Sequence, residues 1–411
     1  MKAIISGAGI AGLSAALALQ RAGWSVTLLE KAPGLRDGGY MLDFYGPGLE
    51  AAADLGVIGA LEARARGVGR IDFVDQQGRT GSSMDYRQIS RATQGKLFPI
   101  LRGDIERALH SALPETVEIR YGTSIATLDS RADGVTVTLE DGAVLSADLL
   151  VGADGIHSHT RNLVFGAEDP FIRPLGYHTA AYFFESGKVA AALGGDFKMM
   201  AIKERLVGLY EVEPNQIMAF FVLRADTLER PRNPAPILHQ AFDDLGWVVP
   251  EVLAKMPEPG EIYYDVVAQI AMPRWHDKRV VLIGDAAHAV SLMAGQGASL
   301  AIAGGRALGQ AMTGVPDIDA ALERFETQLR PLVLDKQQAG RRMADWFVPK
   351  SNRHVWLRDL TVNVMNWPPL AGLIGRYFAV SPKGFSLRYL PPSFAMVLRA
   401  RRRHLPLKWG R

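Results

Sequence analysis

Along the chain, apolar positions fall into two regimes: unbroken runs that read as fully buried strands, and strict alternation that reads as half-buried ones. The first regime opens the sequence. Residues 3–6 form an apolar strand, 10–22 an alanine-rich helix and 25–30 a second strand, a βαβ unit that predicts parallel pairing. Runs at 148–155 and 280–284 have the same character, and they end in Asp154-Gly155 and Gly284-Asp285, the latter opening directly into a helix of small residues. The second regime covers 117–121 and 135–139, with Asp141-Gly142 as a hairpin turn, and then 177–184, 206–210 and 217–222. Few helical patterns interrupt 172–270, so an antiparallel sheet is predicted there. The short strand at 71–74 is expected in that same sheet, which makes the two regions exchange chain segments. A helix is predicted to begin near Gly103, and a long one over 320–346 stops before Pro349 and spans both regions.

These elements describe an α/β protein in which a Rossmann-like domain carries an inserted antiparallel sheet and a long bridging helix. The glycines supply a mechanism for the first domain. Gly7 permits a tight turn, Gly9 lets the backbone approach a pyrophosphate, and Gly12 lets helix and strand pack closely, with the helix N-terminus facing the phosphates. Glu30 ends the next strand, where it is placed to accept from a ribose. Gly284-Asp285, followed by Gly295-Gln296-Gly297, repeats a strand-to-helix phosphate or ligand turn far along the chain, so one long cofactor gripped at both ends is expected. Asp154-Gly155, with Ser158 and Arg161 after it, looks like a further strand end at the nucleotide crevice. Taken alone, Arg102 reads as a salt-bridge partner or a phosphate ligand, Asp43 as a turn residue, and His288 as a structural histidine at a helix start. In the sheet, 177, 179, 181 and 183 face one way and 178, 180, 182 and 184 the other; one face is expected to line a substrate cavity, and the pattern does not choose between them.

Composition narrows the chemistry. At 411 residues and 48% hydrophobic, the chain buries an ample core, and with no cysteine it has no disulfide, thiolate metal ligand, cysteinyl cofactor link or cysteine nucleophile. Redox chemistry therefore falls to a bound, non-covalent cofactor. The net charge of +3 is small, with Arg399, Arg401, Arg402, Arg403, Lys408 and Arg411 crowded at the end. That run lacks interleaved stacking aromatics and reads as a solvated tail, so no nucleic-acid partner is expected. The most apolar late stretch, 362–380, is broken by Asn363, Asn366, Pro368, Pro369 and Arg376, so no integral membrane segment is expected. Because the N-terminal glycines sit where a strand-turn-helix needs them, the apolar start is not read as a signal peptide, and a cytoplasmic location is expected.

The combination of Gly7-x-Gly9-x-x-Gly12 and Glu30, Asp154-Gly155 with Ser158 and Arg161, and Gly284-Asp285 with Gly295-Gln296-Gly297 resembles the class A flavin monooxygenases, the single-component aromatic hydroxylases related to p-hydroxybenzoate hydroxylase. The match runs over about residues 1–345. Arg36, Gly38-Gly39, Asp43 and Arg102 are most similar to the tetracycline-inactivating branch. The resemblance implies FAD held by Gly7, Gly9, Ala11, Gly12, Glu30, Lys31, Asp43, Arg102, Asp154, Gly284, Asp285, Gly295, Gly297 and Ala298, with Asp285 on the pyrophosphate and ribityl side and Arg36 associated with NADPH. It divides the chain into an FAD-binding domain (1–70, 100–171 and 272–318), a substrate domain (71–99 and 172–271), the bridging helix (319–348) and a C-terminal extension (349–411).

The implied activity consumes NADPH or NADH, a transient co-substrate, and O2 to hydroxylate an aromatic or polycyclic, polyketide-like molecule through a flavin C4a-hydroperoxide, in a monomer or homodimer. The flavin carries the chemistry, so no catalytic side chain and no metal are expected; His178, Tyr182, Phe220 and Leu292 are the candidate substrate contacts. The sequence departs from the family at Leu292, where Pro is usual, at Ser299, usually Asn, and at Ala303, usually acidic. Leu292 lies where the oxygen-reacting flavin edge is expected. A halogenase or dehydrogenase on the same scaffold and a non-catalytic flavoprotein are the alternatives, the first disfavoured by the absence of a Trp-x-Trp-x-Ile-Pro segment.

Overall fold

The computed structural model describes residues 1–35, 40–86, 93, 95–291, 295–349 and 351. Arg36, Leu292 and nearly all of the C-terminal extension lie outside the described residues. In chain order the elements are β1 (Lys2–Ser6), α1 (Ile10–Arg21), β2 (Ser25–Glu30), β3 (Met41–Tyr45), α2 (Pro47–Asp54), α3 (Ile58–Glu62), β4 (Arg70–Val74), β5 (Thr80–Asp85), β6 (Leu97–Leu101), α4 (Arg102–Ser111), β7 (Glu118–Tyr121), β8 (Ile125–Ser130), β9 (Val135–Leu139), β10 (Val144–Ala147) and β11 (Leu149–Gly152). They continue through α5 (His159–Phe165), β12 (Ile172–Glu185), α6 (Gly187–Leu193), β13 (Phe197–Ile202), β14 (Arg205–Glu213), β15 (Gln216–Arg224), α7 (Ala235–Phe242), α8 (Val249–Ala254), β16 (Tyr263–Ile270), β17 (His276–Asp277), β18 (Val280–Leu282), α9 (Asp285–His288), α10 (Gly297–Ala311) and α11 (Ile318–Phe347).

The unbroken apolar runs β18, β11, β1 and β2 are the centre of one sheet in the order β17-β18-β11-β1-β2-β7, parallel except at β17, with the alternating strand β7 at one edge. Both faces of the sheet are covered, which is why β11, β18 and the centre of β1 (residues 3–5) can be apolar and buried. Helix α1 is almost wholly buried, with Leu13, Ala15, Ala16 and Leu19 fully enclosed. Its close neighbour is α10. A side chain added at Gly305 would stand 2.7 Å from the Ala15 nitrogen, and one at Gly309 2.5 Å from the Ala18 methyl, so these glycines set the distance between the helices. The hairpin at Asp141-Gly142 forms as predicted, with β9 and β10 antiparallel and Gly142 at φ +86°.

The alternating run at 135–139 joins a separate three-stranded sheet, β10-β9-β8, whereas those at 177–184, 206–210 and 217–222 lie in the second large sheet, β16-β12-β15-β14-β13-β4-β5. It is antiparallel except where β4 lies parallel to β13, which brings 71–74 into this sheet. Strand β12 is longer than its alternation suggested, because the pairing with β16 continues past an irregularity between Pro174 and Tyr177. Three helices that the pattern did not reveal, α6, α7 and α8, cover one face: Ala180, Tyr182, Phe184 and Phe221 pack with Leu238, Phe242 and Val252. The other face carries Ala181, Phe183, Met218, Phe220 and Tyr210, and it packs against Tyr40, Met41 and Leu101 from the first domain.

Helix α11 ties the halves together. Phe325 and Leu329 enter the core of the first domain, while Gln337 donates to the Ile270 and Ala289 carbonyls at 2.7 and 3.1 Å, and Gln269 of β16 donates to the Val290 and Gln337 carbonyls at 3.0 and 2.8 Å. The α/β class, the inserted antiparallel sheet and the bridging helix are all present.

Candidate functional site

The glycine-rich turn is built by close backbone contact. Gly7 has φ +102°, and a Cβ there would meet the Ala153 carbonyl at 2.6 Å; one at Gly12 would lie 1.8 Å from the Gly7 oxygen, and one at Gly284 2.6 Å from the Ala11 methyl. Any side chain at these positions would wedge the turn open. Gly9 is different in kind. Its α-carbon looks into a crevice, with Glu106 and Arg102 3.7 and 3.8 Å from where a Cβ would be.

Gly9 also caps α1 without a side-chain acceptor, and the first turn holds no acidic residue, so the helix offers its leading N–H groups and positive dipole end to that crevice. Glu30 reaches the same turn from β2, accepting from the Ala8 and Ala32 N–H groups at 2.8 Å each. Lys31 follows it, exposed.

Gly284, at φ +59° and ψ −144°, swings the chain from β18 into α9, which Asp285 heads. Asp285 opens onto the crevice, and Gly297, first residue of α10, approaches it so that a Cβ there would lie 4.0 Å from Oδ1. Gly295 supplies the positive φ, +61°, of the intervening turn, and Ala298 is half-buried beside it. The desolvating walls of the crevice push the Asp285 carboxyl above the usual carboxylate range, Arg102 pulls it down and Asp265 adds to the rise.

Arg102 is the link between the two turns. It pairs with Glu106 at 2.8 Å, one helical turn away, yet remains one-third exposed beside Gly9 and in the field of Asp285. The ion pair expected of this arginine is present, and its charge also faces Gly9. Its own N–H donates to the Tyr40 carbonyl at 3.1 Å, and the Met41 N–H donates to the Tyr210 hydroxyl at 2.5 Å, so the backbone at Tyr40 is pinned from both domains. The Tyr40 ring lies 6.5 Å from Phe220 and 6.4 Å from Tyr263 between centroids, tilted to each. Burial holds the Tyr40 phenol above its ordinary range, with Arg102 opposing and Asp285 and Glu106 reinforcing.

Other candidates sit differently. Asp154 is at the crevice, but its carboxylate serves the start of α5: it accepts from the Ser158 hydroxyl at 2.5 Å, and from the Thr160 N–H and hydroxyl at 2.8 and 2.9 Å. What meets the glycine turn is the backbone at Ala153 and Asp154. Asp43, on β3, accepts from the Tyr86 hydroxyl at 2.5 Å, and burial raises its pKa.

His178 and Tyr182 are corrected as substrate contacts by their side of the sheet. Tyr182 donates to the Val252 carbonyl at 2.8 Å under the covering helices, and His178 bridges the Tyr264 hydroxyl and the Thr227 carbonyl, 2.7 Å to each. Phe220 alone of the described substrate candidates faces the crevice side. His288 is buried against Trp275, ring centroids 4.7 Å apart; burial lowers its pKa to about 4, so it is a neutral core histidine.

Sequence reasoning missed Tyr40, Tyr263, Asp265 and Gln296. Gln296 is buried with Oε1 lacking a partner among the described residues, at the turn that leads α10. Its place between two glycines was the available signal. Ser299, where Asn was usual, accepts from the Gly48 N–H at 2.8 Å and donates to the Tyr45 carbonyl at 2.7 Å, which fastens α2 to α10. Among the described residues no cluster of His, Cys, Asp or Glu suits a metal ion, and no helix is long and apolar enough to cross a membrane.

The donor set fits a dinucleotide with a second, polar half: uncapped helix N–H groups and a cation at one turn, an open carboxylate and an orphaned amide oxygen at the other. Comparison with known proteins agrees. Residues 1–327 match the FAD binding domain family. A flavin-dependent monooxygenase from an unknown prokaryotic organism is 30% identical over 365 residues, covering 86% of this chain and 91% of that one. Among solved structures, the tetracycline destructase Tet(55) superposes with TM-score 0.78 at 25% identity, covering 93% of this chain and 98% of that chain. Klebsiella pneumoniae HpxO complexed with FAD and uric acid gives 0.75 at 26%, covering 92% and 97%. The chain belongs to the FAD binding domain family and, within it, to the class A flavin-dependent monooxygenases.

Proposed function

We propose that this monooxygenase uses NADPH or NADH and O2 to hydroxylate a planar aromatic or polycyclic substrate held at the junction of the two domains. The observation that carries the reading is the aromatic corner of Tyr40, Phe220 and Tyr263, which stands between the sheet face and the Arg102–Asp285 crevice. Flat rings favour tilted or offset contact with such a corner. One similar structure is named a tetracycline destructase and another is complexed with uric acid, and both tetracycline and uric acid are fused-ring molecules.

In this reading Glu30 and the α1 N-terminus hold the adenosine and pyrophosphate half of FAD, with Gly7, Gly9, Ala11 and Gly12 shaping the turn. Asp285 accepts from ribityl hydroxyls, the α10 N-terminus at Gly297 and Ala298 faces the flavin end, and Arg102 balances phosphate charge near Gly9. Bound FAD, reduced by the nicotinamide donor, supplies the oxygen-activating chemistry. The protein orients the ring and excludes water, and no side chain of the chain need form a bond to substrate.

The test is NADPH and NADH oxidation across phenols, quinones, anthraquinones and tetracyclines, with labelled O2 and peroxide both followed. A true substrate stimulates oxidation, gains labelled oxygen and yields little peroxide, and Tyr40→Ala raises its KM by about fivefold, as loss of an aromatic contact worth ~1 kcal/mol would. Desaturation or halogen gain without labelled oxygen overturns the proposal.

A further inference from the structure

We propose that His157, by donating to both Glu168 and Asp265, is a positioning residue that clamps strand β16 of the substrate sheet to the cofactor domain and thereby sets the substrate-side wall of the crevice. The consequence for substrate rests on the hydroxylase reading above; the clamp itself does not.

His157 lies between the Asp154-Gly155 turn and α5. Nδ1 is 2.9 Å from Glu168 Oε1, and Nε2 is 3.0 Å from Asp265 Oδ1. Glu168 follows α5 in the cofactor domain, whereas Asp265 is on β16, so one imidazole spans the two. A neutral imidazole has one N–H and one lone pair, and here the lone pair would face a carboxylate. Only the imidazolium satisfies both partners.

The neighbours make the same point by charge. Glu168 also accepts from Arg161 at 2.6 Å, and Arg161, fully buried, donates onward to the Ala286 carbonyl at 2.9 Å and the Ile156 carbonyl at 2.7 Å. Arg161, Glu168, His157 and Asp265 thus alternate in sign, and the row is neutral only with His157 protonated. The charged and titratable groups facing this row, among the described residues, are Asp154 beside Arg161, and Tyr40, Tyr263 and Asp285 beyond Asp265. Loss of the His157 proton would leave the 8%-exposed Asp265 as an uncompensated anion on the crevice side.

Geometry says what the clamp controls. The far end of β16 is already fastened, through the Ile270 N–H to the Ala289 carbonyl and through Gln269 to Val290. The near end carries Tyr263, and Asp265, two residues on, is its tie to the cofactor domain. Burial alone would lower the His157 pKa, but the hydrogen bonds to Asp265 and Glu168 outweigh it and raise the group above its ordinary value. A raised folded pKa means the clamp is fully present below the ordinary histidine value and is lost as pH rises through the folded one.

Amide hydrogen exchange over 263–270, corrected for intrinsic pH dependence, reads the clamp without turnover. In the FAD-loaded protein at pH 6, His157→Gln should exchange about tenfold faster there than wild type, the loss expected for a charged hydrogen bond, with α1 unchanged. At pH 9 the two should converge. Equal protection of 263–270 in wild type and variant at pH 6 would overturn the clamp, and so would a wild-type pattern that does not loosen between pH 6 and pH 9, which decides the matter even if the variant fails to fold. With a substrate in hand, His157→Gln should raise KM at pH 6 while kcat changes less than about twofold; unchanged KM would overturn the role at the substrate wall. Absence of labelled-oxygen incorporation, by contrast, would strike the hydroxylase reading and leave the exchange result standing.

Discussion

Single residues here are decided by what surrounds them, and His288 is the clearest case. It stands three residues after Asp285, at the end of α9, but its ring packs against Trp275 with no partner for Nε2 among the described residues, and its pKa is held near 4 by burial, with Arg330 adding to the effect. The unfolded chain has the ordinary value, 6.5, so it takes up a proton that the folded chain refuses. The sign follows: this contribution to stability is whole above the ordinary value and is lost as pH falls toward the folded one. Between pH 7.5 and pH 5 the loss from this group should be about 2 kcal/mol. Urea unfolding of wild type and His288→Phe at the two pH values measures it, and an equal loss in both proteins would assign the effect elsewhere.

The sequence could place His288 at a helix start but not count its neighbours, and Asp154 was opaque for the same reason. The motif locates that residue at the crevice, whereas the direction of its carboxylate depends on Ser158 and Thr160. Glycines were more legible, because a missing Cβ acts through the backbone that the motif itself specifies.

At the level of elements, α1 and α10 meet through glycine. Gly305 and Gly309 leave no room for a side chain against Ala15 and Ala18, whereas Gly59 in α3 faces open space. Gly305→Val should therefore cost about 1–3 kcal/mol by forcing the helices apart. Gly59→Ala should gain up to ~1 kcal/mol from helix propensity alone. Thermal unfolding of the two variants beside wild type decides it; similar shifts for both would mean that the close helix contact is not a constraint. The parallel strands were readable because burial on both faces writes an unbroken apolar run. The face of β12 was not, because alternation is symmetric until something covers one side. Helices α6, α7 and α8 break that symmetry, and they are short: α6 has 7 residues, α7 has 8 and α8 has 6, too few for a helical period to stand out within 172–270. The choice of Phe220 over His178 and Tyr182 follows from those helices.

For the whole molecule, the crevice proposed to hold the cofactor is assembled from segments far apart in the chain: the 7–12 turn, Arg102 at the head of α4, Asp285 at the head of α9 and Gly297 at the head of α10. Strand β4 is threaded into the second sheet, and α11 is bonded to both domains, so neither domain can unfold without breaking the other's contacts. Ligand that binds only this assembled crevice must then stabilise the entire chain. At free FAD one hundred times its Kd the gain is about 2.7 kcal/mol, which for a chain of this size unfolding as one unit is a rise in Tm of about 3 °C. Removing FAD should reverse it. Asp285→Ala, at the same FAD concentration, should lose most of the rise while its apoprotein melts close to wild type, since the carboxylate faces the crevice rather than the core. Far-UV circular dichroism and tryptophan fluorescence should report one coincident transition. Two transitions, only one of them moved by FAD, would show that the threading does not couple the domains; an undiminished rise in Asp285→Ala would remove that residue from the cofactor site.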